Sequence, residues 1–191
     1  MTSLVIGLVA FLGIHSISIV APDWRDRTAK RVGANAWRAI YSIISIAGFI
    51  LLIWGYGKAR QQPVLLYPPP AWSHHATALL MLPVFPLILA AYVPGRIRGA
   101  IKHPMIVGVA VWALAHLISN GTLADLLLFG GFLAWAIMDR VSFNWRTARP
   151  IHTAPPSKLN DLIAVVTGLM LYVTFAFWLH IRWIGVSPLP L

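Results

Sequence analysis

The sequence predicts an all-α protein, a polytopic transmembrane helix bundle of about six spans with both termini periplasmic, and three observations lead there. Hydrophobic residues make up 59% of the 191-residue chain and charged residues only 10%, against about 25% charged in an ordinary soluble domain. A water-facing domain of this size has too small an interior to hide that much apolar surface. The charges gather between apolar runs long enough to cross a bilayer, so lipid is the solvent for most of the chain. Finally, the basic residues fall mainly on one side of those runs.

The spans are expected at residues 4–20, 37–57, 74–93, 104–118, 123–138 and 161–183. The first is read as a retained span with its N-terminus outside. It lacks Lys or Arg ahead of its apolar stretch, carries positive charge after it, and exceeds a usual signal core in length. The third contains Pro83 and Pro86, which should kink it, as a bundle tolerates when neighbours satisfy the freed carbonyls. The fourth and fifth are short and joined only by Ser119, Asn120, Gly121 and Thr122, which predicts antiparallel neighbours. Thr122 with Asp125 reads as a capping box opening span five, and that structural duty is preferred for Asp125 over a catalytic one. The proline-rich stretches from Pro63 to Pro70 and from Pro150 to Pro156 resist helix and read as stiff loops. No internal repeat or separate soluble domain is seen, so residues 1–191 are read as a single integral membrane domain.

Orientation follows from the loops. Arg25, Arg27, Lys30, Arg31 and Arg38, then Arg96, Arg98 and Lys102, then Arg140, Arg146, Arg149 and Lys158 occupy the first, third and fifth connections. Only Lys58, Arg60 and Arg182 lie on the other side. The positive-inside rule makes the odd loops cytoplasmic. It also explains the net charge of +10 as topology, and no nucleic-acid partner is expected.

The inventory of reactive groups narrows the chemistry. There is no cysteine, which removes disulfides, iron–sulfur clusters, thiolate zinc sites and cysteine nucleophiles. Glutamate is absent, and the acids are Asp23, Asp26, Asp125, Asp139 and Asp161. Seven histidines remain as metal ligands and titratable groups. An imidazole inside a span is costly and usually faces the bundle interior. His15 shares a helical stripe with Gly7, Phe11 and Ser18, and His116 shares one with Trp112 and Gly108. Small residues on such stripes admit a neighbouring helix or a flat ligand, and the alternative for each histidine is a hydrogen bond to an adjacent helix. His103 precedes Pro104 at the mouth of span four, about 20 Å along the helix from His116 and about 220° around it, so those two cannot bind one metal from a straight helix. It is expected to shape the helix start rather than bind metal. His74, His75, His152 and His180 are weaker candidates.

A histidine-rich, carboxylate-poor bundle suits haem better than zinc, because haem needs one or two axial imidazoles, an apolar aromatic slot and basic partners for its propionates. Lys58, Arg60 and Arg182 could serve propionates or lipid headgroups equally well.

Several ordered motifs then resemble the NnrU family. They are His103-Pro104-Met105-Ile106-Val107-Gly108 and Trp112-Ala113-Leu114-Ala115-His116, with Phe11-Leu12-Gly13-Ile14-His15-Ser16 upstream. Arg38 to Ser42, Trp54-Gly55-Tyr56-Gly57, Pro94-Gly95-Arg96-Ile97-Arg98, Asn120-Gly121 and Leu126 to Trp135 continue the likeness. It covers nearly the whole chain and is weakest after Arg146. The resemblance implies a multi-pass protein of the bacterial inner (cytoplasmic) membrane associated with denitrification and nitric oxide metabolism. It further implies kinship to plant zeta-carotene isomerase, a haem b membrane enzyme, and hence redox or isomerase activity. In that relative the histidine of the Trp-x-Leu-Ala-His motif is an axial ligand, which corresponds to His116, and a first-span histidine corresponding to His15 is the other. Trp112 and Gly108 would flank the cofactor. The relative's redox-active cysteine is Ala113 here, so a mechanism using that thiol is not available to this chain.

The expected spans set one conflict. They place His15 and His116 at depths about 13 Å apart, farther than two axial ligands of one haem allow. His116 is therefore the firmer assignment. Two other functions stay open: a membrane methyltransferase of the isoprenylcysteine type, and a non-catalytic accessory or assembly protein for a membrane enzyme partner. The first shares a His-Pro-x-x-x-Gly element at a helix start, but it normally adds acidic residues downstream.

Overall fold

The computed structural model describes residues 1–147, 149 and 151–188, and all of its regular structure is helical. Its helices form two compact units, one of Met1–Tyr67 and Thr122–Thr147, the other of Pro68–Gly121 and the described part of Ala148–Leu191.

The first unit is built on α1 (Thr2–Val20), α3 (Ala34–Ala59) and α8 (Leu123–Ser142). Glycine decides how α1 and α3 meet. A Cβ on Gly7 would overlap the backbone of Leu52, one on Gly55 the backbone of Leu4, and one on Gly48 the backbone of Phe11. These pairs run in opposite directions along the two helices, so the helices are antiparallel and in backbone contact. That is the small-residue packing expected where lipid supplies no hydrophobic drive between helices. α8 lies against α1, with Leu8 and Leu12 facing Gly131. It opens on the expected capping box: the Asp125 N–H donates to Thr122 Oγ1 at 3.3 Å, and the Thr122 N–H donates to Asp125 Oδ2 at 3.0 Å. The loop before Tyr67 is tied to the same point, where the Leu123 N–H donates to Val64 O at 2.8 Å.

A helix that the sequence reads as loop, α2 (Pro22–Val32), fills the connection between α1 and α3. Pro22 stands at its first position, where a missing N–H costs nothing. It ends at Gly33, whose φ of 88° belongs to the left-handed region.

The second unit holds α4 (Ser73–Met81), α5 (Val84–Ala90), α6 (Arg96–Ile101), α7 (Pro104–Ser119) and α9 (Asn160–Thr174), followed by a π-helical turn (Phe175–Leu179) and α10 (His180–Ile184). The break between α4 and α5 falls at Pro83, as expected of a residue with no N–H that collides with the preceding turn. Pro86 is accommodated because it sits in the first turn of α5, where backbone donors have no intrahelical acceptor. α9 packs on α5 through Gly168, where a Cβ would strike the backbone of Pro86. The Tyr172 hydroxyl donates to Ala78 O at 3.0 Å. Asp161 caps α6, accepting from the Arg96 N–H at 2.8 Å and the Ile97 N–H at 3.0 Å. Asn160 holds the preceding loop, donating to Pro94 O at 2.9 Å and Pro155 O at 3.0 Å. Residues 151–157 are non-helical, as the proline content suggested; Pro150 lies outside the described residues.

Four helical stretches are long and apolar enough to cross a bilayer: Thr2–Val20, Ala34–Ala59, Ser73–Ala90 and Asn160–Ile184. α7 is apolar but only 16 residues long, and α8 carries Asp125, Asp139 and Arg140. Though only Asn120, Gly121 and Thr122 separate them, α7 and α8 belong to different units. Within their own units α7 packs on α4 and α5, and α8 packs on α1.

Candidate functional site

His116 lies on the last turn of α7 in the second unit. α4 and α5 run antiparallel to this helix. The Thr77 hydroxyl donates to Ala115 O at 2.7 Å, and Gly108 is buried with Val84 O and Leu87 Cβ each 3.3 Å from where its own Cβ would be. Gly108 therefore admits α5, the helix-packing reading of that position. Trp112 and His116 sit one turn apart on the same face, ring centres 5.5 Å apart. His116 Nδ1 is 2.9 Å from Trp112 O. A carbonyl can only accept, so Nδ1 carries the proton and Nε2 presents the lone pair. Beyond it, Asn120 Nδ2 donates to His116 O at 2.9 Å and completes the helix end.

His15 lies on α1 in the first unit and repeats the arrangement. Its Nδ1 is 2.6 Å from Phe11 O, which again fixes the proton on Nδ1 and the lone pair on Nε2. Aromatics surround the imidazole: Phe11 at 4.3 Å, Tyr41 of α3 at 5.3 Å and Trp135 of α8 at 6.1 Å, the last edge-on at 89°. The indole Nε1 of Trp135 is buried with no hydrogen-bond partner among the described residues. Close by on α8, Asp139 is 8% exposed. Its carboxylate pairs with the Arg146 guanidinium, which lies 4.1 Å over the Phe143 ring. Arg146 Nε also donates to Ser142 Oγ at 2.6 Å. The sequence places Arg146 in a loop and gives no warning of this pair; the available signal is a basic residue seven positions after an acid at the end of an apolar helix.

The remaining candidates have local duties. His103 is the N-cap residue of α7, with Pro104 at the first helical position as expected. His180 Nδ1 meets Val186 O at 2.6 Å. Lys58 Nζ lies 4.0 Å over the Trp54 ring, and the Arg60 guanidinium lies 5.7 Å from the Tyr56 ring centre, each stacked on an aromatic of its own helix. Asp125 is 5% exposed and accepts from Tyr56 Oη at 2.6 Å and Thr122 Oγ1 at 2.6 Å in addition to the cap. Outside the spans, burial and then the Asp125 charge push the Tyr67 phenol above its ordinary value. Among the described residues no group of three or more His or Asp side chains converges as a multi-ligand metal site would require.

The donor chemistry at His116 and His15 fits haem. A ligating histidine ordinarily gives its other ring N–H to a carbonyl, which fixes the tautomer and the ring plane, and both imidazoles do this. Several aromatic rings surround His15, and the Trp112 ring stands beside His116. The two histidines stand in different units.

Compared with known families, the chain matches the model described as NnrU protein over residues 3–188. No curated protein and no solved structure matches it.

Proposed function

The chain belongs to the NnrU family, since the family model spans nearly all of it, and from that membership we propose a haem-b-binding protein of the bacterial inner membrane that serves nitric oxide and denitrification metabolism. His116 is the axial ligand in this reading, and His15 is a ligand candidate within its own unit. The observation that carries it is the Nδ1–H bond from His116 to the Trp112 carbonyl, which orients Nε2 as a ligand atom beside an aromatic wall. Haem, when bound, supplies redox chemistry or a Lewis-acidic iron. The chain's own part is to hold the imidazole in one tautomer and to place Trp112 beside it.

The acids support this over the methyltransferase reading. Asp125 is engaged by Thr122 and Tyr56, Asp139 by Arg146, and Asp161 by the start of α6. Each has a structural duty in place of the cofactor and substrate contacts that such an enzyme needs. The proposed topology is six spans with both termini periplasmic, the short α7 and the charged α8 crossing beside the four longer stretches. Chemical haem assay of protein expressed with ample haem tests the function. Haem bound in a fixed ratio to the chain supports it, and haem-free protein points to an accessory role instead.

A further inference from the structure

α2 is an 11-residue helix joined by one residue at each end, Ala21 and Gly33, to two helices long and apolar enough to span a bilayer. Tethers that short hold it at the membrane surface. Its position along α3 follows from the glycine register. The pairs Leu4 with Gly55, Gly7 with Leu52 and Phe11 with Gly48 continue along the antiparallel helices to set Val20 level with Ala39. The start of α3, residues 34–38, therefore runs past the end of α1 by about 7 Å. α2 folds back against this extension. Trp24 meets Trp37 edge-on at 6.2 Å, and the Arg25 guanidinium lies 5.6 Å from the Trp37 ring centre.

None of the residues of α2 is buried, and four of them, Arg25, Arg27, Lys30 and Arg31, are basic against Asp23 and Asp26. A cavity of about 370 Å³ opens between α2 and the start of α3, lined by Arg25, Asp26, Ala29, Lys30, Gly33 and Ala34. Arg25 is held in place by Trp37 and by Asp26 at 2.8 Å. Trp24 stays half exposed, at 49%, as an indole anchored in the headgroup layer does. Basic charge, an open concavity and a half-exposed tryptophan thus coincide beside the ends of two helices long and apolar enough to span a bilayer.

We propose that α2 and the start of α3 form a binding surface for the headgroup of an anionic phospholipid, with Arg25 and Lys30 as its phosphate contacts. Zwitterionic lipid carries the same phosphate but its amine cancels the attraction, so the surface selects for net negative charge. Each basic side chain near an anionic surface contributes about fivefold in affinity (about 1 kcal/mol).

The test places the full chain in nanodiscs of mixed phosphatidylglycerol and phosphatidylcholine, releases it into detergent, and counts the retained lipids by native mass spectrometry. Wild type should retain phosphatidylglycerol in preference to phosphatidylcholine, and Arg25→Gln with Lys30→Gln should lower that preference by at least the roughly fivefold effect of one side chain. The charge-preserving pair Arg25→Lys with Lys30→Arg should keep it. No preference in wild type, an undiminished one in the double Gln variant, or loss in the charge-preserving pair overturns the proposal.

Discussion

Removing Asp139 should cost more stability than any other single polar change in the first unit. The Asp139 side chain is 11% exposed and the Arg146 side chain 9%, and among the described residues the guanidinium also donates to Ser142 Oγ, itself fully buried. Among the described residues, Asp139→Ala leaves the nearly buried Arg146 with the neutral Ser142 hydroxyl as acceptor, and breaking such a pair from one side costs about 3–5 kcal/mol. Replacing both members with apolar residues removes the unpaired charge, and such double replacements are often neutral. Asp139→Leu with Arg146→Leu should therefore recover most of what Asp139→Ala loses. The assay is unfolding in mixed micelles of mild detergent and sodium dodecyl sulfate, followed by tryptophan fluorescence. Asp139→Ala unfolding at the wild-type midpoint, or a double variant as weak as the single, refutes the reasoning.

Two further outcomes follow from packing and charge. Gly55→Ala drives a methyl into the Leu4 backbone, which cannot rotate aside, and should destabilise by about 1–3 kcal/mol in the same micelle assay, whereas Gly57→Ala, which meets open space, should not. A C-terminal alkaline phosphatase fusion should be active and a C-terminal fluorescent-protein fusion dark; the reverse overturns the six-span arrangement.

The sequence carries most of the helices because their signals are local: apolar runs for α1, α3 and α9, Pro83 for the break before α5, Pro104 for the start of α7, Thr122 with Asp125 for the start of α8. α2 is harder to see, although Pro22, Asp23, Lys30, Arg31 and Gly33 are the start and stop residues of a short helix; its charge density resembles that of a loop. The π-helical turn at Phe175–Leu179 has no local signature. What composition could not give was pairing across the chain. Tyr56 meets Asp125 across 69 positions and Asn160 meets Pro94 across 66, and such contacts depend on how helices pack rather than on periodicity. At the candidate site, His116 and Trp112 were legible as neighbours on one face of an apolar helix. Gly108 looked equally suited to a ligand or a helix, and only the position of α5 shows that it receives the helix.

The most direct measurement of the central claim is the absorption spectrum of detergent-purified protein made with ample haem, for wild type, His116→Ala and His103→Ala. His103 caps α7 through its backbone position and should be dispensable for binding, while the proposed reading assigns the ligand nitrogen to His116. The account predicts a Soret band in wild type and in His103→Ala, with most of it lost in His116→Ala. A full Soret band in His116→Ala, or its loss in His103→Ala alone, would contradict the account.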